Sequence, residues 1–183
     1  MEMDSLGLVE MSSIAAGMEA ADIMLKTSEV ELIISRSICS GKYMVLIGGD
    51  VAAVQAAVEA ASITIDYALI DTFVIPNVHK DIFPALSGHS DVKELQSLGI
   101  LESFSVASLI EGADAAVKSA SVKLLEIRLA MALGGKAFCT LTGDVAAVQS
   151  AVDAGAKLIS EKGLLVNKVV IAQPRKELLS EII

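Results

Sequence analysis

The sequence contains no tryptophan and few other aromatic residues, which together make up 3% of its 183 residues. Basic residues are also scarce: 14 Lys and Arg stand against 23 Asp and Glu, for a formal net charge of −9. A nucleic-acid-binding surface needs a basic patch, commonly with interleaved aromatic side chains, and the sequence offers neither. We therefore expect no nucleic-acid partner.

Long apolar runs are missing as well. A membrane-spanning helix needs a run of about 18 or more apolar residues, and none occurs. The first residues, Met1 to Asp4, are acidic and unlike the basic start of a secretory signal. We therefore expect no membrane partner and no export. With only two cysteines, the chain is expected in a reducing cytoplasm, where thiols rarely form disulfides.

The residue sets that usually carry catalysis are absent from the sequence. No Ser/His/Asp set, carboxylate pair or spaced metal triad can be assembled, and His79 and His89 have no spaced partners. The run Gly48-Gly49-Asp50 is not GxGxxG, and its acidic residue stands where an anion would bind, so it predicts a helix cap. The sequence therefore predicts a protein that is not an enzyme.

Aliphatic residues and an internal repeat are what the chain has in quantity. Hydrophobic residues make up 54% of it, which favours association through apolar surfaces. The heptapeptide at 49–55 recurs unchanged at 143–149, an offset of 94, and Leu6-Gly7 recurs as Leu98-Gly99, an offset of 92. We therefore predict two domains, 1–90 and 91–183. Three such chains would supply six equivalent units around a ring.

Each repeat shows the order β-α-β-β-α-β, which predicts an α+β fold of two tandem ferredoxin-like (split βαβ) domains. In the first repeat, Ser12-Ser13 and Asp50 mark helix starts, and Ile14, Met18, Ala21 and Leu25 form an apolar stripe. A short helix is predicted near 80–86, and another at 175–183. The two extra residues of the second repeat fall in the loop 130–135, which is equivalent to the turn Ile38-Cys39-Ser40-Gly41 of the first repeat.

The turn that contains Cys39 is where the two repeats diverge. A single thiol cannot hold a metal, so Cys39 is either a residue without a role or, in a cyclic trimer, one of three thiolates around the axis. Cys139 lies in a predicted strand and is expected to be buried. Lys26 and Lys118 are equivalent residues at helix ends, where either the helix dipole or a contact with a neighbouring assembly explains a lysine.

Together these residues resemble the bacterial microcompartment (BMC) shell-protein family. The matching residues of the first repeat are Leu6-Gly7-Leu8-Val9-Glu10, Gly17-Met18-Glu19-Ala20-Ala21-Asp22, Lys26, Gly41-Lys42 and Gly49-Asp50-Val51, and those of the second are Leu98-Gly99-Ile100-Leu101-Glu102, Ala113-Asp114, Lys118, Gly135-Lys136 and Gly143-Asp144-Val145. Tandem-domain members form trimers that imitate the hexamers of single-domain relatives. The resemblance implies a pseudohexameric homotrimer in a microcompartment shell in the cytoplasm, with other shell proteins as partners.

The resemblance also implies a cofactor. In the tandem-domain class of propanediol-utilisation microcompartments, a Cys in an Ile-Cys-Pro-Gly turn reaches the three-fold axis, and three copies hold a [4Fe–4S] cluster. The turn at Cys39 matches this pattern except that Ser40 replaces Pro. The resemblance implies one cluster per trimer, ligated by Cys39 of each chain, for electron transfer or cluster delivery across the shell. Encapsulated redox enzymes are the implied partners.

Lys26 and Lys118 match the family's edge lysine and are expected to contact neighbouring shell proteins, whereas the family's Pro-Arg-Pro-His motif is complete in neither repeat.

Two alternative functions remain. One alternative is a shell protein with a metal-free metabolite pore lined by Ile38, Cys39, Ser40 and Gly41. The other is a regulatory protein that binds a small ligand between its domains.

Overall fold

The computed structural model describes residues 3–89, 92, 95–131, 133–175 and 177–178. The chain divides into two compact units, Met1–Val78 and His79–Ile183. The first unit contains β1 (Ser5–Met11), α1 (Ile14–Thr27), β2 (Glu31–Ile38), β3 (Lys42–Gly49), α2 (Val51–Thr64) and β4 (Leu69–Pro76). The second contains α3 (Ile82–Leu86), β5 (Ser97–Ser103), α4 (Val106–Ser119), β6 (Lys123–Leu129), β7 (Ala137–Gly143), α5 (Val145–Glu161) and β8 (Leu165–Ile171).

Each unit is built on one four-stranded antiparallel sheet. The strand order is β2-β3-β1-β4 in the first unit and β6-β7-β5-β8 in the second. The helices α1 and α2 pack together and against the first sheet, as α4 and α5 do in the second unit. This is the predicted ferredoxin-like α+β fold, which is confirmed in both repeats.

The helix starts follow the predicted caps. The Ser13 hydroxyl accepts a hydrogen bond from the Ala16 N–H at the start of α1, and a carboxylate oxygen of Asp50 accepts from the Ala52 N–H at 2.9 Å at the start of α2. These side chains satisfy backbone donors that have no partner inside the helix. The short helix predicted near 80–86 is α3, whereas most of the predicted helix at 175–183 lies outside the described residues.

The boundary between the units differs from the predicted one at residue 90. The division falls after Val78, so that the segment from His79 onwards, with α3, belongs to the second unit. Two contacts explain this. The His79 N–H donates to Asp114 Oδ1 at 2.8 Å, and α3 packs against β6 and α4. The segment with the predicted helix near 80–86 therefore belongs to the second unit.

The apolar stripe predicted on α1 does not face the core of the first unit. Ile14, Met18 and Leu25 are exposed, and of that stripe only Ala21 is buried. The core side of α1 consists instead of Ala16, Gly17, Ala20, Ala21 and Met24. Small residues on this side let the helix lie close to the sheet: a Cβ at Gly17 would lie 2.3 Å from Tyr43 Cβ. The larger apolar side chains are left on an outer face.

Candidate functional site

Cys39 lies in a short turn that joins β2 to β3 at one end of the first sheet. It is a single 3-10 turn, Cys39–Gly41, and lies between Ile38 and Lys42, which are the last paired residues of the two strands. Ser40 and Gly41 both have left-handed backbone conformations, with φ of 67° and 72°. Glycine adopts this region without strain, which explains Gly41, while Ser40 adopts it at some cost. The turn is therefore tight and closely determined by the two strands.

The turn presents its residues unequally to the surroundings. Ile38 is buried, Cys39 is half-buried, and Ser40 and Gly41 are exposed. Apart from the chain neighbours of Gly41, no described residue lies within 4 Å of the position that a Cβ on Gly41 would take. Of the residues predicted to line a pore, Ser40 and Gly41 are thus on the surface of the isolated chain, whereas Ile38 packs into the first unit.

The equivalent connection in the second unit is longer and contains no cysteine. It runs from Ala130 to Gly135 between β6 and β7, and residue 132 lies outside the described part. Ala130, Gly134 and Gly135 take positive φ values, and Met131 is exposed. A thiol therefore stands at this end of the sheet in only one unit of each chain.

The second cysteine is not available as a ligand. Cys139 lies in β7, is fully buried, and is not joined to Cys39 by a disulfide. Burial raises the pKa of the Cys139 thiol to about 12, with a smaller contribution from the Glu126 charge and an opposing hydrogen bond from the Leu101 backbone. The predicted burial of Cys139 is confirmed. A thiol held neutral in this way cannot act as the thiolate that metals bind.

Metal ligands are not clustered in the part of the chain that the structure describes. Among the described residues, His, Cys, Asp and Glu side chains form no group of three or more that could hold a metal ion. Cys39 supplies one sulfur on an accessible turn, which suits a shared site and not a site within one chain. A group bound there would require equivalent turns from several chains.

Two equivalent ion pairs lie next to these connections, and the sequence analysis did not identify them. Lys42 follows the Cys39 turn directly, and its Nζ lies 2.9 Å from Oε1 of Glu10 on β1. In the second unit Lys136 Nζ lies 2.6 Å from Glu102 Oε1. The signal that could have revealed them is the recurrence of both charges, Glu10 as Glu102 and Lys42 as Lys136, in the two repeats. Each pair ties β1 or β5 to the strand that follows the connection.

The two predicted edge lysines occupy different environments. Lys26 Nζ lies 2.6 Å from Asp22 Oδ2, and both side chains are exposed. Lys118 Nζ lies 2.5 Å from Asp114 Oδ2, but Asp114 is buried and its other oxygen accepts the His79 N–H. Lys26 is therefore the more accessible lysine in the isolated chain, while Lys118 is fixed by its surroundings.

The chain consists of two ferredoxin-like units in tandem, and the first of them carries a cysteine on the turn at one end of its sheet. The BMC domain family model matches residues 5–78 and 97–174. The chain belongs to the BMC-domain family of bacterial microcompartment shell proteins. As such it is a structural protein and not an enzyme, and the predicted location in a microcompartment shell is confirmed.

Individual relatives agree with this membership. The chain is 42% identical, over 95% of both chains, to the bacterial microcompartment shell protein PduT of Citrobacter freundii. It is 39% identical over 84 residues to the single-domain-length shell protein EutM of Salmonella typhimurium. A solved microcompartment protein from Desulfitobacterium hafniense is 51% identical and superposes with a TM-score of 0.92 over 97% of this chain and 99% of its own. The membership favours a shell tile over the regulatory ligand-binding alternative.

The family defines the general setting of the chain. BMC shell proteins assemble with other shell proteins of the same compartment. Among the described residues, no helix is long and apolar enough to cross a membrane.

Proposed function

We propose that three copies of the chain form a pseudohexameric homotrimer in which the Cys39 turns meet at the three-fold axis and hold one [4Fe–4S] cluster. The observation that carries this proposal is the place of Cys39, on an accessible turn in a chain whose other cysteine is buried. Three identical turns at an axis would bring three thiols together, which no single chain can do. The similarity to the tandem-domain class supports the same assignment.

Cys39 supplies the type of ligand that an iron–sulfur cluster uses. Iron–sulfur clusters are held by cysteine thiolates, and three of the four usual sulfurs would come from the trimer. Ser40 and Gly41, which follow Cys39 in the turn, are exposed and carry no bulky side chain. When bound, such a cluster supplies a centre that takes up and releases one electron at a time.

The chain's own residues would bind and position this group. Cys39 would supply the thiolate, the ladder that ends at Ile38 and Lys42 fixes the turn, and Glu10 balances the Lys42 charge at 2.9 Å. Solvent exposure and hydrogen bonding near the sulfurs tune the potential of such a centre. We propose that it serves electron transfer or cluster delivery across the shell to encapsulated redox enzymes.

A metal-free metabolite pore is the second candidate function. The observation that favours it is that Ser40 and Gly41 are exposed polar and backbone groups, as a water-filled passage requires. Ile38, which is buried in the first unit, would contribute little to such a lining. In this case Cys39 would line the passage without holding a metal.

Iron and acid-labile sulfide per chain, measured in anaerobically purified protein, test the cluster directly. We expect about four irons and four sulfides per three chains. Cys39→Ala removes both, whereas Cys139→Ala, the matched cysteine control, keeps them. No iron in the unmodified protein after anaerobic reconstitution would contradict the cluster and leave the pore as the better account. A trimer mass in the same samples tests the assembly separately.

A further inference from the structure

One face of α1 and β2 in the first unit is far more exposed than its equivalent in the second. At the repeat offset of 92, Met18 corresponds to Ile110 and Leu25 to Val117. Met18 and Leu25 are 57% and 44% exposed, whereas Ile110 and Val117 are 0% and 5% exposed. The same holds for Leu32 at 40% and its equivalent Leu124 at 5%, and for Ile14 against the buried Val106. We call Ile14, Met18, Leu25 and Leu32 the open face.

One segment packs on the two elements that carry the equivalent face of the second unit. This segment follows β4 in the chain: its helix α3 packs on β6 and α4, and Ile82 at the start of α3 is fully buried. The His79 N–H, three residues earlier, donates to Asp114 on α4 at 2.8 Å. We infer that this face is buried because the segment that follows the fourth strand of the first sheet packs on it.

An equivalent segment follows β8, and the structure describes its residues 172–175 and 177–178. Leu6 pairs with Ile75 in the first sheet, and its equivalent Leu98 pairs with Ile171, so the fourth strands correspond at an offset of 96. This offset makes Leu178 the equivalent of Ile82. Both residues donate their N–H to the carbonyl three residues back, His79 O and Arg175 O, at 3.0 Å. Leu178 is nevertheless 39% exposed.

We propose that Leu178 of one copy of this chain packs on the open face of the next copy, in the way that Ile82 packs on α4 and β6. Each copy then offers one open face and one uncovered Leu178, which are complementary and not identical. Such a head-to-tail contact closes into a ring when the rotation between copies allows it. In a closed ring every open face is covered, and the apolar burial favours assembly.

This inference rests on the assembly part of the proposed function and is independent of the cluster. It identifies the surface that joins the copies, and it assigns a role to the large apolar residues of α1 that do not contribute to the core. It also explains why Asp22 is exposed while its equivalent Asp114 is buried. Arg175 would lie over α1 of the next copy, as His79 lies over α4.

Site-directed cross-linking between two differently tagged, co-expressed chains tests the contact. Both chains carry Cys39→Ala; one also carries Met18→Cys and the other Leu178→Cys. With a short bis-maleimide we expect a heterodimeric band containing both tags. The control replaces Met18→Cys with Ile63→Cys, an exposed residue at the end of α2 and outside the open face, and should give no such band.

Sedimentation of charged variants gives a second readout. Met18→Asp and Leu178→Asp should each weaken association at least ~10-fold, since a charge would be buried in an apolar contact. Ile63→Asp should leave the mass unchanged, and circular dichroism should show all three folded. An oligomer that gives no Met18–Leu178 cross-link and resists both charges would overturn this inference but not the assembly. A monomeric unmodified chain would overturn both.

Discussion

Lys42 Nζ lies 2.9 Å from Glu10 Oε1, and the Glu10 side chain is almost completely buried while Lys42 reaches the surface. The pair connects the central strand β1 to the first residue after the Cys39 turn. A buried carboxylate depends on its partner, because an uncompensated charge in the interior is strongly unfavourable. The position of the turn and the stability of the first unit are therefore coupled through this pair.

Lys42→Met should lower the free energy of unfolding by about 2 kcal/mol, because it leaves the Glu10 carboxylate buried without a cation. Lys136→Met should cost less, since Glu102 is more exposed than Glu10. Lys26→Met, which breaks an exposed pair with Asp22, should cost under about 0.5 kcal/mol. Urea unfolding of the three variants at equal protein concentration measures this order. Equal losses for Lys42→Met and Lys26→Met would contradict the importance of burial here.

Much of this fold could be predicted from local features, because they act within a few residues. The observed topology could be predicted from the helix caps at Ser13 and Asp50 and from the order of strands and helices in each repeat. The orientation of α1 could not be predicted in this way. Its sequence has two apolar faces, and only the sheet beneath decides that Ala16, Ala20 and Met24 face inwards while Met18 remains outside.

The site itself was predictable only in part. Cys39 could be placed on a turn because Gly41 and the shift between repeat offsets mark a connection. The Glu10–Lys42 pair joins residues 32 positions apart, so it depends on strand register that the sequence does not state. The boundary after Val78 likewise depends on contacts of α3 with distant elements. A group bound by three Cys39 residues depends on the arrangement of several chains, so the fold of one chain does not predict it.

Gly99 on the central strand β5 allows α5 to lie close to the second sheet. A Cβ at this position would lie 2.7 Å from both Leu141 Cδ1 and Val152 Cγ2. Gly99→Ala should therefore destabilise the second unit by about 1–3 kcal/mol through overpacking. Adding Val152→Ala should recover part of this loss although it removes apolar volume, because the two side chains compete for one space. Urea unfolding of both single variants and the double variant tests this, and strictly additive losses would contradict it.

Cys139 makes the stability of the second unit depend on alkaline pH. Burial raises the pKa of its thiol to about 12 in the folded chain, whereas an unfolded thiol ionises near about 8.5. Between these values the unfolded chain loses the proton and the folded chain keeps it. Stability is therefore fully present below about pH 8.5 and falls as pH rises, by up to about 1.4 kcal/mol per pH unit.

Replacing the thiol separates this effect from the titration of lysines and tyrosines. Cys139→Ala lowers stability at pH 7 because it leaves a small cavity in the core, but it removes this thiol's contribution to the slope. Urea unfolding is measured from about pH 7.5 to about pH 10, which is about 1.5 units above the usual pKa of a thiol. The free energies of unfolding of Cys139→Ala and of the unmodified protein should converge as pH rises. Parallel curves for Cys139→Ala and the unmodified protein would show that the buried thiol ionises no later than an exposed one.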